Sequence, residues 1–285
     1  MNLKTTYNLI RKALEGFFAD NVMTQSAALS FYTLLSFAPL MLLIVWLGSS
    51  LEYASQAVML DQLEELAGEG ARQAGQAVLD SANIRPSVGS TAGIIGIVIS
   101  LIGATTVFAQ LQASLNQIWG IEAKPGKAIW HWLRRRVLSI GLIGGIVFIS
   151  IVSLLVSSAL GAILTQSGQL WDLLNQLIST VIYTGLFTLL FRYLADVQLS
   201  WHRAAWGGAV TAVLFVVGKG LIGYYLARGE VGGAYGAAGS FVVLLLWVYY
   251  SSAIFFFGAE IIQAWFNVRG EAMQPAAYAV TEDSS

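Results

Sequence analysis

Long stretches without charged residues divide the chain. Six of them cover residues 21–51, 86–121, 137–171, 173–191, 204–218 and 231–259. A helix that crosses the hydrocarbon core of a bilayer, which is about 30 Å thick, needs about 20 apolar residues at about 1.5 Å per residue. The pattern therefore predicts six transmembrane helices, at 27–51, 92–118, 137–164, 174–195, 204–227 and 239–266.

The first apolar stretch is too long for a secretory signal. It begins near Ala27 and continues to residue 51, whereas the apolar region of a signal peptide has roughly 7 to 15 residues. We therefore expect this helix to remain in the membrane.

Before the first span, apolar residues recur at spacings of three and four. They are Leu3, Tyr7, Ile10, Leu14 and Phe17, opposite Lys4, Arg11 and Lys12. This pattern predicts that segment 1–26 carries an amphipathic helix lying in the cytoplasmic membrane interface. A helix that docks on a partner is the alternative.

Two further segments lie outside the predicted spans. Segment 52–91 is acidic with apolar residues at helical spacing, and we expect a periplasmic helical hairpin broken near Gly68 and Gly70. The tail 267–285 is short and polar and is predicted to be disordered. The six-helix transmembrane domain then covers 27–266.

Composition supports a membrane protein. Of 285 residues, 56% are hydrophobic and 11% charged, whereas a soluble domain has about 25% charged residues. This excludes a soluble enzyme. The net charge of −1 gives no reason to expect a nucleic-acid partner. The chain has no cysteine, and both histidines, His131 and His202, fall in predicted loops. We expect no metal and no cofactor.

Basic residues are distributed unequally between the two sets of loops. Eleven Lys and Arg residues fall in the terminal segments and in loops 119–136 and 192–203, against three on the other side. The positive-inside rule places both termini in the cytoplasm. The predicted fold class is an all-α polytopic membrane protein with six transmembrane helices and both termini in the cytoplasm.

Small residues form a stripe along the third predicted helix. They are Gly141, Gly145, Ser153, Ser157, Gly161 and Thr165. Such a stripe lets helices approach closely, so it predicts a packing face and allows a homo-oligomer. Membrane lipids are the other expected partners. No internal repeat relates the two halves of the chain, which removes one argument for an alternating-access transporter.

Lys219 interrupts the fifth span. A charge in hydrocarbon costs at least about 2.5 to 3.5 kcal/mol on insertion scales and must find water or a partner. Three interpretations stay open: snorkelling to the outer interface, a structural hydrogen-bond hub, or a residue on a substrate or ion path.

Several residues accompany Lys219 as substrate-path candidates. Pro39 removes a hydrogen bond within the first helix and predicts a kink, which is either an ordinary kink or part of a discontinuous helix lining a site. Ser30 and Tyr32 lie on the approach to it. Tyr224 and Trp247 complete the set.

Glu260 is the only acidic residue inside a predicted span. By its depth in the sixth helix we expect it to form an ion pair with Arg192 or Arg203. Asn116, at the inner end of the second helix, is expected to form interhelical hydrogen bonds.

Five strings in order resemble a known family. They are Ala27-Ala28-Leu29-Ser30-Phe31-Tyr32 leading to Pro39, Leu115-Asn116-Gln117-Ile118-Trp119-Gly120, Trp201-His202-Arg203-Ala204 with Gly207, Lys219 followed by Tyr224, and Tyr235-Gly236 through Leu245-Leu246-Trp247-Val248-Tyr249 to Gly258-Ala259-Glu260. On a six-helix plan they resemble the YihY/BrkB integral membrane proteins of bacteria, which have carried virulence-factor and ribonuclease BN labels. At Ala195 the chain departs from the family's usual proline.

The resemblance implies a bacterial inner-membrane protein and assigns no catalytic residue. We expect a transporter or a lipid- or amphiphile-handling protein of the envelope. A non-transporting structural or regulatory membrane protein is the alternative. We do not expect an enzyme, because the cytoplasmic side lacks the carboxylate cluster that metal-assisted phosphodiester cleavage requires.

Overall fold

The structure is a computed structural model, and it is mostly helical. It describes residues 3–48, 54–84, 106–123, 169–228, 235, 238–271, 273–276 and 279–281. The helices are α1 Leu3–Ala19, α2 Val22–Gly48, α3 Ala54–Ile84, α4 (the described helical residues 106–118), α5 Gln169–Tyr193, α6 Trp201–Arg228 and α7 Gly239–Arg269. Two short strands are β1 Ile121–Ala123 and β2 Ala279–Thr281.

Five of the predicted spans coincide at least in part with helices, namely α2, α4, α5, α6 and α7. The third predicted span and its stripe of small residues lie outside the described residues. Within the described part of the chain, Trp201–Leu226 of α6 and Gly239–Arg269 of α7 are long and apolar enough to cross a membrane.

The chain divides into two compact units. Unit 1 comprises Met1–Val22, Leu111–Val217 and Ile254–Ser285, and unit 2 comprises Met23–Gln110 and Gly218–Ala253. The division passes through α2, α4, α6 and α7, because each of these helices contributes residues to both units.

In unit 1, α1 packs on the second half of α7. Leu9 and Ala13 form a buried cluster with Ile261 and Ala264. Trp206, Val210, Leu214, Phe257 and Trp265 pack around that cluster. Apolar side chains of α1 therefore also contact protein. Leu9 and Ala13 lie beside the predicted stripe, and Phe17 of that stripe also packs on Phe257, with ring centroids 5.8 Å apart.

Glycines bring α6 and α7 together in unit 1. A Cβ at Gly207 would overlap the Ile262 side chain, and one at Gly258 would overlap Thr211. Absence of a side chain at these positions allows the close helix approach that is common in membrane proteins.

The tail of unit 1 is partly ordered, in contrast to the expectation of disorder. β2 pairs antiparallel with β1, placing Ile121 opposite Thr281, and Val197 forms an isolated bridge with Pro275. The all-α prediction therefore omits one short two-stranded sheet. The pairing of the two strands satisfies the hydrogen-bonding groups of their backbones.

In unit 2, α3 packs on α2 and α7. Phe37, Ala71, Ala74, Val78 and Leu244 form its buried cluster. The predicted hairpin is a single helix of 31 residues that continues through Gly68 and Gly70. A Cβ at Gly70 would overlap Val243, so this glycine permits close packing rather than ending the helix.

A tight turn joins α1 to α2, several residues before the expected boundary at 26/27. The Asp20 amide donates to the Gly16 carbonyl at 2.8 Å, and Asn21 has φ 52°. Asn tolerates this left-handed conformation and commonly follows a helix end. The next helix therefore begins already at Val22, which is fully buried.

Candidate functional site

A buried polar cluster in unit 1 is centred on Asp196, which is 2% exposed. Gln112 donates to both of its carboxylate oxygens at 3.0 Å, and Asn116 donates to Oδ2 at 2.9 Å. The Asp196 amide donates back to Asn116 Oδ1 at 3.0 Å. This network joins α4 to the chain that follows α5.

The same segment also holds the tail. The Asp196 carbonyl accepts from the Ala276 amide at 2.9 Å, and the Gln198 amide donates to the Gln274 carbonyl at 2.9 Å. A buried carboxylate satisfied by several donors fixes the local geometry. Asp196 therefore connects three separate parts of the chain.

Most residues of the string Leu115–Gly120 are buried or form hydrogen bonds with other elements of unit 1. Leu115 and Ile118 are fully buried, and Asn116 belongs to the Asp196 cluster. Gln117 Nε2 donates to the Asp20 carbonyl at 3.3 Å, and Trp119 Nε1 donates to the Ala259 carbonyl at 3.1 Å. Gly120, with φ 60°, ends the helix in the left-handed conformation that suits glycine.

Glu260 lies in unit 1 beside the end of α1, and it is 1% exposed. Its carboxyl group contacts the backbone at Gly16, where a Cβ would overlap it. Asp20, in the turn that ends α1, is a neighbour of this carboxyl group. Glu260 Oε1 is buried without a hydrogen-bond partner.

The expected ion pair of Glu260 with Arg192 or Arg203 is wrong. All three residues are described, and no salt bridge joins them. Arg203 pairs instead with Glu271 at 2.6 Å and stacks on Phe266 at 4.6 Å. Arg192 lies 5.9 Å from the Trp201 ring, with its Nε buried and unpaired. The actual neighbour of Glu260 is another acid, because the α1–α2 turn brings Asp20 to it.

In unit 2, two of the substrate-path candidates are buried. Ser30 is fully buried and donates to the Leu245 carbonyl at 2.6 Å, which joins α2 to α7. Trp247 is 5% exposed. Tyr32 is half-buried, with its ring 6.0 Å from that of Phe31. Pro39 lies within α2, but its side chain is outside the described residues.

Lys219 and Tyr224 occupy different faces of α6. Successive helical residues are about 100° apart, so Tyr224 lies about 140° round the helix from Lys219. Leu221, Tyr224 and Tyr225 are exposed, whereas Lys219 is half-buried and makes an interaction of its own. Lys219 therefore lies away from the exposed apolar face of α6.

Within the described part of the chain, no group of three or more His, Asp or Glu side chains is arranged to hold a metal ion. The sequence interpretation expected interhelical hydrogen bonds from Gln112 as well as Asn116, but it missed their partner Asp196, and it missed Asp20. Asp196 is a charged residue beside a span, and Gln112 and Asn116 are four apart on one helix face. That spacing was the available signal for the cluster.

The chain matches a known protein family over most of its length. The family model described as virulence factor BrkB matches residues 13–279, which is most of the chain. The chain belongs to the BrkB family. The family resemblance of the five strings is thus confirmed, and with it an integral membrane protein of bacteria.

Curated relatives of this BrkB-family chain carry the name UPF0761 membrane protein. One from Alkalilimnicola ehrlichii is 28% identical over 254 residues, covering 88% of this chain and 56% of the relative. One from Alcanivorax borkumensis is 26% identical, covering 86% and 57%. One from Psychromonas ingrahamii is 23% identical, covering 91% and 88%.

The chain thus spans little more than half the length of the first two relatives. No solved structure matches it.

Proposed function

We propose that the chain is a multi-pass protein of the bacterial inner membrane that binds and handles an anionic lipid or other amphiphile. In this proposal six helices cross the membrane and both termini are cytoplasmic. The single observation that carries the proposal is the position of Lys219. It is a cation within an apolar helix, on the face opposite the exposed apolar side chains.

The position of Lys219 argues against snorkelling along the lipid surface. Its helix exposes Leu221, Tyr224 and Tyr225 on the other side, and these are the residues suited to lipid contact. An ammonium on the opposite face of a transmembrane helix requires a polar partner or a wet space there. Lys219 is partly accessible on that face, so an anionic head group can reach it.

The chemistry of the surrounding span suits an amphiphile. Residues 204–218 before Lys219 carry no charge, and the chain after it is apolar through Ala227. A ligand with one anionic group and an apolar body would match one cation in such a span, because the apolar part gains by leaving water and the anion pairs with the ammonium.

The proposed topology is supported by the asymmetry of basic residues, eleven against three. Names of the relatives support a membrane location. Basic residues lie toward the N-terminal end of α1, at Lys4 and Arg11, and at the C-terminal end of α7, at Arg269. Their positions favour the cytoplasmic side for both helix ends.

A structural or regulatory role is the second candidate function. The close approach of α6 to α7 at Gly207 and Gly258, and the fully satisfied Asp196 cluster, favour a rigid framework. Under this alternative Lys219 is a hydrogen-bond hub and binds no ligand.

The experiment compares lipids retained by the purified protein. The full chain is extracted in mild detergent, and bound lipids are counted by native mass spectrometry for the wild type, Lys219→Met and Lys219→Arg. Lys12→Met, at an exposed lysine of α1, is the matched control. We expect Lys219→Met to lose a bound anionic lipid at unchanged thermal stability, and Lys219→Arg to retain part of it.

Equal lipid retention by Lys219→Met and the wild type would refute the lipid proposal. Loss of thermal stability in Lys219→Met, with lipid retention unchanged, would favour the structural role.

A further inference from the structure

Arginine and tryptophan side chains meet in unit 1 where α6 begins and α7 ends. We propose that this surface is a binding site for the head group of an anionic phospholipid, with Arg269 as the residue that contacts the phosphate. The site is separate from Lys219, which lies in the second half of α6. Only its assignment to the cytoplasmic leaflet rests on the orientation proposed above.

Trp206 of α6 and Trp265 of α7 form an aromatic platform. Their rings are stacked, with centroids 5.7 Å apart and an interplanar angle of 28°. Both side chains are half-buried, so part of the platform reaches the surface. Tryptophan is enriched where a membrane protein meets the head groups, because its ring has an apolar body and a polar N–H. The platform therefore suits the boundary between head groups and hydrocarbon.

Two arginines contact this platform and differ in their charge balance. The Cζ atom of Arg203 lies 5.5 Å from the centre of the Trp265 ring, and its guanidinium group pairs with Glu271 at 2.6 Å. The Cζ atom of Arg269 lies 4.2 Å from the centre of the same ring, and the residue is exposed. Among the described residues, no carboxylate pairs with Arg269 and none accepts a hydrogen bond from its side chain. Its charge and its N–H donors are therefore available to a ligand.

A guanidinium group in this setting favours a phosphate. Arginine binds phosphate oxygens through two parallel N–H···O bonds, and its planar group loses little freedom when these bonds form. The contact with Trp265 already restricts the orientation of the Arg269 side chain. Because Glu271 balances the charge of Arg203, the positive charge left on the platform is that of Arg269, and it favours an anion over a neutral ligand.

An apolar surface continues from the platform along both helices. On α6, Val210 and Leu214 follow Trp206 at intervals of four residues, and on α7 Phe257 precedes Trp265 by two such intervals. All five side chains are half-buried and pack around the buried cluster that joins α1 to α7. Residues four apart on a helix share a face. Acyl chains would leave water on this surface, whereas a soluble phosphate would gain nothing from it, so the surroundings favour a lipid.

Photo-crosslinking locates the bound lipid. The full chain in mild detergent is incubated with phosphatidylglycerol that carries a diazirine in one acyl chain, irradiated and digested. Mass spectrometry then identifies the crosslinked peptides. We expect crosslinks in the peptides that contain residues 210–214 of α6 or 257–265 of α7.

Variants of Arg269 test its role. Arg269→Gln removes the charge and should lower the yield of these crosslinks about fivefold, the contribution of one basic residue near an anionic lipid. Arg269→Lys keeps the charge and loses the bidentate hydrogen bonds, so its yield should be intermediate. Lys12→Gln, at an exposed basic residue of α1, is the matched control and should leave the yield unchanged.

Two further comparisons separate this site from Lys219 and from a free phosphate. In Lys219→Met the crosslinks that depend on Arg269 should remain, so failure of one proposal is distinguished from failure of the other. Inorganic phosphate should lower the yield no more than potassium chloride at the same ionic strength, because it lacks the acyl chains that the apolar surface binds.

Three results would overturn the proposal. Arg269→Gln and Lys12→Gln could give equal yields, or phosphatidylcholine with the same diazirine could crosslink to the same peptides as efficiently as phosphatidylglycerol. Inorganic phosphate could also displace the lipid far better than chloride, which would assign the site to a soluble phosphate compound. The comparison of the two lipids on the wild type decides the matter even if Arg269→Gln fails to fold.

Discussion

Asn116 and Asp196 hydrogen-bond each other in both directions. The Asn116 amide donates to Asp196 Oδ2 at 2.9 Å, and the Asp196 backbone amide donates to Asn116 Oδ1 at 3.0 Å. Asparagine is the residue that suits this position, because it offers a donor and an acceptor on one short side chain. The pair ties α4 to the start of the α5–α6 connection.

Replacing Asn116 by alanine should destabilise unit 1. The change leaves a buried backbone amide and a carboxylate oxygen with fewer partners, and each unsatisfied buried group costs about 1 to 3 kcal/mol. Thermal unfolding in detergent measures the effect. Asn267→Ala, at an exposed residue of α7, is the control and should leave the melting temperature unchanged. Equal melting temperatures for the two variants would contradict the role of the cluster.

Adding one methyl group at Gly258 should disturb the packing of α6 on α7. A Cβ there would overlap the buried Thr211 side chain, and overpacking costs about 1 to 3 kcal/mol. Gly223→Ala is the matched control, since no atom lies within 4 Å of a Cβ at that position. We expect Gly258→Ala to lower the melting temperature in detergent and Gly223→Ala to leave it unchanged or raise it. A Gly258→Ala protein as stable as the control would show that the helices separate easily.

Helix positions were the part of the fold that the sequence predicted best. Five predicted spans overlap α2, α4, α5, α6 and α7, because the length of a charge-free apolar run directly reflects the length of a helix in lipid. Interactions between helices were harder to predict. Gly70 suggested a helix break, whereas its role is to let α3 approach Val243.

The surroundings of Glu260 were likewise hard to predict from the sequence. From the position of Glu260 along α7, we expected this acid to pair with an arginine. Its neighbour is instead Asp20, because the left-handed residue Asn21 ends α1 beside α7. Likewise, order in the tail arises from the pairing of β2 with β1 and of Ala276 with Asp196. Contacts between residues far apart in sequence leave no periodic signal.

The proposed orientation predicts which residues react from outside the cell. Gln73 is an exposed residue of α3, in the segment expected to be periplasmic. A cysteine there should react with a membrane-impermeant maleimide in intact cells in which the outer membrane has been made permeable. Ser200→Cys, at an exposed position before α6, should react only after the inner membrane is broken. The reverse order would invert the topology.

The last prediction concerns the side of α1 that faces away from α7. Tyr7, Ile10, Leu14 and Phe18 are 67%, 48%, 46% and 67% exposed, and they line a shallow groove together with Arg11 and Glu15. Because the opposite face, with Leu9 and Ala13, is packed on protein, this exposed stripe is the part of α1 available to the membrane interface.

An environment-sensitive fluorophore distinguishes lipid from water at this stripe. Attached to Leu14→Cys in nanodiscs, it should emit at shorter wavelength and be quenched by a spin label carried on the lipid acyl chains, because apolar side chains of an interfacial helix lie at the boundary of the hydrocarbon. The same fluorophore at Lys12→Cys, two residues away on the charged side, should be quenched instead by a water-soluble quencher. Water exposure at both positions would indicate that the stripe serves a partner protein, since four large exposed apolar residues on one helix face would then lack a lipid surface to cover them.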